Sequence, residues 1–274
     1  LSKGIWRVVS AVMDDLIRTV LGRVLADDPG GIIGVYLYGS STTTGPGPES
    51  DVDLLLVTRM SLMVEERRSL VALLLGLSGL GLEGAREGFP DVADRRPLEV
   101  TSLVADTLDP LAADPWRDFQ FGEWLRSDFT RGYVPEPERD PDVVILLATA
   151  LASHRVLHGP SLDSLVAEVP SPLLWEVQLA AVPALVEDLH GDGRNVLLTL
   201  ARALHTVETG EIVPKDHAAG LAAKRVDADG AELLRAAARE YRGEEQVDWD
   251  RESKRVSALA QSLIALIPRT SAAP

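Results

Sequence analysis

The stretch from Ile32 to Val57 constrains the fold more than any other. An apolar, β-prone run, Ile32 to Tyr38, breaks at Gly39-Ser40. A loop rich in Ser, Thr, Gly and Pro follows, and the chain resumes as Asp51-Val52-Asp53-Leu54-Leu55-Leu56-Val57. Side chains alternate between the faces of a strand, so Asp51 and Asp53 are expected to project together, with Val52 opposite. Two carboxylates held side by side raise each other's pKa unless a cation lies between them. A hard divalent cation such as Mg2+ takes oxygen ligands and keeps phosphate oxygens as co-ligands. A Gly-Ser turn facing that pair can hold a phosphate with backbone N–H groups and a hydroxyl. The plainer alternative is a β-hairpin whose second strand begins with solvated acids. Asp-x-Asp alone does not decide between the two.

A chain of 274 residues accommodates one large domain or two ordinary ones. Helical spacing of apolar residues runs from Ile5 to Leu25 and ends at Asp27-Asp28-Pro29-Gly30-Gly31. A second amphipathic helix is expected over Ser61 to Leu80. Pro97 then opens a third strand, Leu98 to Val104, with Leu98 and Val100 on one face and Glu99, Thr101 and Leu103 on the other. A carboxylate among strand apolars is either an edge residue or a functional one. Beside Asp-x-Asp, it is the oxygen base that could take the proton of an attacking hydroxyl. The aromatic segment Asp118 to Asp128 includes Trp124, which can equally be core filler. Pro141 to Leu157 reads as an apolar helix with His154 and His158 on one face, but two histidines without a third ligand do not make a metal site.

From about Val169 no Val/Ile-rich strand appears. Apolar periodicity and alanine-rich stretches predict helices at 172–188, 193–208, 215–224, 229–242 and 249–267, with Gly191, Gly210 and Gly243 near their ends. The expected organisation is α+β: a mixed α/β domain over 1–168 and an all-helical domain over 169–274.

The net charge of −15, from 42 acidic and 27 basic residues, argues against a nucleic-acid partner, which would call for a basic surface. It suits a cationic partner. Without cysteine, disulfides, thiolate catalysis and zinc–thiolate sites are excluded. No basic-then-apolar leader pattern is visible, and the longest apolar run, Leu70 to Leu82, falls short of the about 20 residues a bilayer requires. A cytoplasmic monomer without a membrane partner is expected.

Several runs together resemble one family. They are Leu37-Tyr38-Gly39-Ser40, Ser50-Asp51-Val52-Asp53-Leu54-Leu55, Leu98-Glu99-Val100-Thr101, Gln120-Phe121-Gly122-Glu123-Trp124, Arg194-Asn195-Val196-Leu197-Leu198-Thr199-Leu200 and Pro214-Lys215-Asp216. The chain is similar to the aminoglycoside (3″)(9) adenylyltransferases of the nucleotidyltransferase superfamily. That resemblance implies a polymerase β-like N-terminal domain with a mixed sheet, followed by a helical bundle. It also implies Mg2+-dependent transfer of AMP from ATP to a hydroxyl of an aminoglycoside or aminocyclitol antibiotic, and hence resistance.

The resemblance further implies that Asp51 and Asp53 hold magnesium and that Glu99 is the catalytic base. Gly39, Ser40 and Ser50 would lie along the nucleotide phosphates. Arg202, Lys215 and Tyr241 would contact ATP, and Trp124, Asp188 and Asp192 the antibiotic. Arg and Lys suit triphosphate oxygens, and paired aspartates suit a cationic drug. Asp188 and Asp192 can also serve as helix N-caps ahead of Gly193. With ATP contacts expected from both domains, ATP should bind before the antibiotic. One departure stands out: family members that accept streptomycin carry a tryptophan five residues before the first of these aspartates, where this chain has Pro183. Spectinomycin is therefore the expected substrate, with streptomycin kept as a second candidate. Transfer to another acceptor and a non-catalytic nucleotide-binding regulator remain as alternatives.

Overall fold

The computed structural model of the chain describes residues 3–43, 51–79, 95–187 and 192–268. It forms two compact units, Leu1–Val143 with Ser153–Glu168, and Val144–Ala152 with Val169–Pro274.

The first unit is built on a five-stranded sheet of order β5-β3-β2-β1-β7. Its strands are β1 (Ile32–Tyr38), β2 (Val52–Thr58), β3 (Leu98–Val104), β5 (Phe119–Phe121) and β7 (His154–His158). Two short strands, β4 (Trp116–Arg117) and β6 (Glu138–Arg139), pair separately. The sheet is mixed: β2 and β3 run parallel, and the other pairs are antiparallel. Parallel neighbours require a crossover, and the helix α3 (Val64–Leu77) lies within the connection between them.

Helix α1 (Lys3–Asp27) and α3 share a core with one face of this sheet. Met13, Ile17, Val20 and Val24 recur at helical spacing and meet Leu70, Val71 and Leu74. The sheet contributes Val35, Leu37, Val52, Leu54, Leu56, Leu98 and Val100. On the opposite face Tyr36, Leu55, Val57, Thr101 and Leu103 are also buried. Burial on both faces explains why Leu54-Leu55-Leu56-Val57 is a continuous apolar run instead of an alternating one. A buried ion pair fixes the start of α3. Arg67 Nη2 donates to Asp118 Oδ1 at 2.7 Å, and Asp118 Oδ2 accepts from Leu62 N at 3.0 Å.

The expected helix over Pro141 to Leu157 is corrected. It covers Asp142–Ala152, and His154–His158 is the edge strand β7, with His154 opposite Tyr38 and His158 opposite Val35. The two histidines therefore share no helix face. A short apolar run reads alike as helix or strand, and pairing with β1, distant in sequence, decides it.

The second unit contains the helices Ser171–Glu187, Gly193–Thr209, Lys215–Ala222, Ala228–Tyr241 and Trp249–Leu266. Its core interleaves Leu197, Leu200 and Leu204 with Ala218, Ala219, Leu234, Ala237, Leu259 and Leu263. Asp192, Asp227 and Asp248 cap helix N-termini, and Gly210 ends a helix in the left-handed region at φ 75°. The helix segment Val144–Ala152 groups with this unit, so the two units are not separated by a single cut near residue 168. Val144, Leu147 and Ala150 on that segment are fully buried, as an almost wholly apolar helix must be. Among the described residues no helix is long and apolar enough to cross a membrane.

Candidate active site

Register brings the first three residues of the site into one row. Tyr38 on β1 is opposite Asp53 on β2, and Asp53 is opposite Glu99 on β3. Neighbouring strands lie about 4.8 Å apart, so Asp53 and Glu99 are adjacent residues on one face. Glu99 sits on an inner strand, which removes the edge-residue explanation for a carboxylate there. Asp53 and Glu99 are half-buried, whereas Asp51, one residue ahead of β2, is exposed. Val52 N donates to Pro97 O at 2.9 Å, so the pairing of the two strands extends to their first residues.

Two further groups shape the charge in this row. Burial pushes the Tyr38 phenol well above its usual pKa, and the charges of Glu99 and Asp53 raise it further. The phenol thus stays neutral beside the carboxylates. Burial lowers the pKa of the Arg96 guanidinium, and the charge of Asp51 offsets part of that. Asp51 accordingly has a cationic neighbour at the mouth of the strand pair.

Gly39 follows β1 with φ +72°, and a Cβ there would collide with the Asp53 carboxylate. Only glycine permits this backbone to approach the acid so closely. Ser40 begins the short helix α2 (Ser40–Thr43). Thr42 Oγ1 donates to Gly39 O at 2.9 Å and lies 3.2 Å from Ser153 O, tying the turn to the residue before β7. Gly39→Ala is expected to destabilise the unit by about 1–3 kcal/mol through strain. It should also lower turnover at least about tenfold by displacing Asp53. Thermal denaturation and steady-state rates check both effects.

Trp124 follows β5 in a 3-10 turn, Glu123–Leu125, and is 59% exposed. Its indole folds back onto Gly122, where a Cβ would meet the ring. Thr101 is opposite Gln120, and continuing that register two residues along each strand places Gly122 level with Glu99. Trp124 therefore stands at the end of the Tyr38–Asp53–Glu99 row.

In the helical unit, Arg202, Lys215 and Tyr241 are half-buried and come from three helices. The helix Lys215–Ala222 packs against both Gly193–Thr209 and Ala228–Tyr241. Lys215 Nζ donates to Asn195 Oδ1. Asp192 is the N-cap of Gly193–Thr209, its exposed carboxylate accepting from Asn195 N at 3.4 Å. Ser50 and Asp188 lie outside the described residues.

The donors fit a hard divalent cation. Asp51 and Asp53 offer carboxylate oxygens at the start of one strand, with Glu99 alongside. Among the described residues, no group of three or more His, Asp or Glu side chains could by itself hold a metal ion. Magnesium does not require one: it is usually held by one or two carboxylates together with substrate phosphates.

Residue order along the chain pointed to Asp51, Asp53 and Glu99 but not to Tyr38, Arg96 or Gly122. Tyr38 directly precedes the Gly-Ser turn, and strand alternation puts Tyr36 and Tyr38 on one face, a signal available in the residue order. Nothing local announced Arg96.

A mixed sheet with a Gly-Ser turn between β1 and β2, and acids at the starts of two parallel inner strands, defines a nucleotidyltransferase. Residues 164–265 match the family model described as the aminoglycoside adenylyltransferase C-terminal domain. A spectinomycin 9-adenylyltransferase from Staphylococcus aureus is 39% identical over 230 residues, covering 84% of this chain and 85% of that protein. An aminoglycoside (3″)(9) adenylyltransferase from Escherichia coli is 34% identical over 84% of each chain. The spectinomycin adenyltransferase AAD(9) from Enterococcus, solved with ATP and spectinomycin, superimposes with a TM-score of 0.83 at 26% identity. The match covers 92% of this chain and 98% of that one. The chain belongs to the spectinomycin and aminoglycoside (3″)(9) adenylyltransferase family.

Proposed function

We propose that this chain transfers AMP from ATP to a hydroxyl of an aminocyclitol antibiotic, with spectinomycin as its principal acceptor. The observation that carries this reading is the in-register adjacency of Asp53 and Glu99, beside the Gly39-Ser40 turn. The kinship with relatives named for spectinomycin, one of them solved with ATP and spectinomycin, supports the same substrates here.

Glu99 accepts the proton of the acceptor hydroxyl on its carboxylate. The hydroxyl oxygen then attacks the α-phosphorus in line, the bond from that phosphorus to the bridging oxygen breaks, and pyrophosphate departs. Asp51 and Asp53 would hold Mg2+, which neutralises charge developing on the phosphoryl oxygens. Gly39, Ser40 and Ser50 lie along the phosphates in this reading, and Arg202, Lys215 and Tyr241 contact ATP. Trp124, Asp188 and Asp192 receive the antibiotic, the aspartates pairing with its ammonium groups. The neutral Tyr38 phenol adds no third negative charge to the carboxylate pair. The reaction runs on a single chain in the ATP-containing cytoplasm.

Pro183 is exposed within the helix Ser171–Glu187 and presents no aromatic surface. Streptomycin, the larger substrate, loses a packing wall there, and the smaller, rigid spectinomycin loses less. Expression in a sensitive bacterium is expected to raise tolerance to spectinomycin strongly and to streptomycin weakly. Purified protein given labelled ATP should yield adenylylated spectinomycin by mass. Neither tolerance nor labelled product with spectinomycin would overturn the reading.

A further inference from the structure

Trp124 is widely exposed, yet the turn that carries it is held from beneath by buried polar groups. Arg126 is 7% exposed. Its Nη2 donates to Glu123 Oε1 at 2.8 Å and to Ser78 O at 3.1 Å. The Glu123 and Arg126 side chains are each only 8% exposed, one on either side of the indole in sequence. Leu125 N donates to Gly122 O at 3.0 Å and closes the turn. Ser78, fully buried at the end of α3, accepts from Leu98 N through its hydroxyl at 2.9 Å. Leu98 immediately precedes Glu99. A continuous chain of hydrogen bonds therefore runs Glu123–Arg126–Ser78–Leu98, from the turn bearing Trp124 to the strand bearing Glu99.

A buried ion pair is a poor stabiliser compared with apolar packing, because desolvation of both charges offsets their attraction. Its particular effect is geometric: a planar guanidinium shared between a carboxylate and a carbonyl admits few arrangements. Gly122 complements it by letting the indole lie flat on the backbone.

We propose that Glu123, Arg126 and Ser78 are positioning residues that hold the Trp124 indole at a set distance from Glu99, and so determine how the acceptor hydroxyl is presented to the base. The inference rests on the roles given above to Trp124 and Glu99. A displacement of about 1 Å at a reacting centre can lower rates by about 10²-fold, so a brace of this kind is felt in catalysis before it is felt in folding.

The test uses the full chain, with Glu123→Gln, Ser78→Ala and Arg126→Met compared with Trp124→Ala. Steady-state rates are measured separately against spectinomycin and ATP, alongside melting temperatures. The expected result is a loss of about 10–100-fold in kcat/KM for spectinomycin, with the KM for ATP within about twofold of the parent. Glu123→Gln keeps size and shape and Ser78→Ala removes a single hydroxyl, so they inform even if Arg126→Met fails to fold. Parent-like spectinomycin kinetics in those two variants, with Trp124→Ala impaired, would overturn the brace alone. Parallel losses toward ATP and spectinomycin that track a falling melting temperature would also overturn it, as a general structural role. Parent-like kinetics in Trp124→Ala would overturn the acceptor role of Trp124 itself, and the brace with it.

Discussion

Replacing Glu99 with Gln is expected to lower turnover by about 10²–10⁴-fold while sparing ATP binding. The substitution preserves shape but replaces the basic carboxylate with a neutral amide that does not take up a proton at neutral pH. Glu99 lies on an inner strand, opposite Asp53 across a parallel pairing, so its backbone has no freedom to bring another group into place. The loss corresponds to about 3–5 kcal/mol of transition-state stabilisation. Single-turnover rates report the chemical step, and calorimetry reports ATP affinity. A Glu99→Gln protein that turns over at nearly the parent rate would remove Glu99 from the mechanism.

Asp53→Ala is expected to abolish the part of nucleotide affinity that depends on magnesium. Asp53 occupies the centre of the row, flanked by Tyr38 and Glu99 and in contact with the Gly39 backbone. Asp51, exposed one residue ahead of the strand, would be left as one carboxylate where the site offers two. Alanine at 53 keeps the strand paired, so the loss should appear in binding rather than in folding. The measurement is ATP affinity with and without magnesium. In the parent the two should differ widely, and in the variant they should coincide. Normal binding of magnesium and ATP by Asp53→Ala would end the assignment of Asp53 as a ligand.

Much of this architecture is carried by local pattern. The runs Ile32–Tyr38 and Leu98–Val104 are strands over those same residues. The helix of Ala228–Tyr241 lies within a residue of its expected bounds, since Asp227 caps its start and Gly243 follows its end. Each such boundary is set by caps, glycines and apolar spacing within a few residues, which is why it can be read from the chain order. The strand His154–His158 could not be, because its reason for existing is a hydrogen-bonded partner more than a hundred residues away. The same is true of the pairing of Trp116–Arg117 with Glu138–Arg139, two-residue strands that lie more than twenty residues apart. Asp192 had two readings from its position, and the structure displays one of them, the helix cap, while leaving the carboxylate exposed.

By itself, the sequence determined that this chain has acids at the start of an apolar strand, a glycine turn before them, a third acid on a later strand, and a run of helices behind. Those are properties of nearest neighbours along the chain. Only the tertiary structure decided that Tyr38, Asp53 and Glu99 share one row, and that Trp124 rests on Gly122 above a buried ion pair. Strand order and register arise from burying the whole sheet at once, and no window of a few residues contains them.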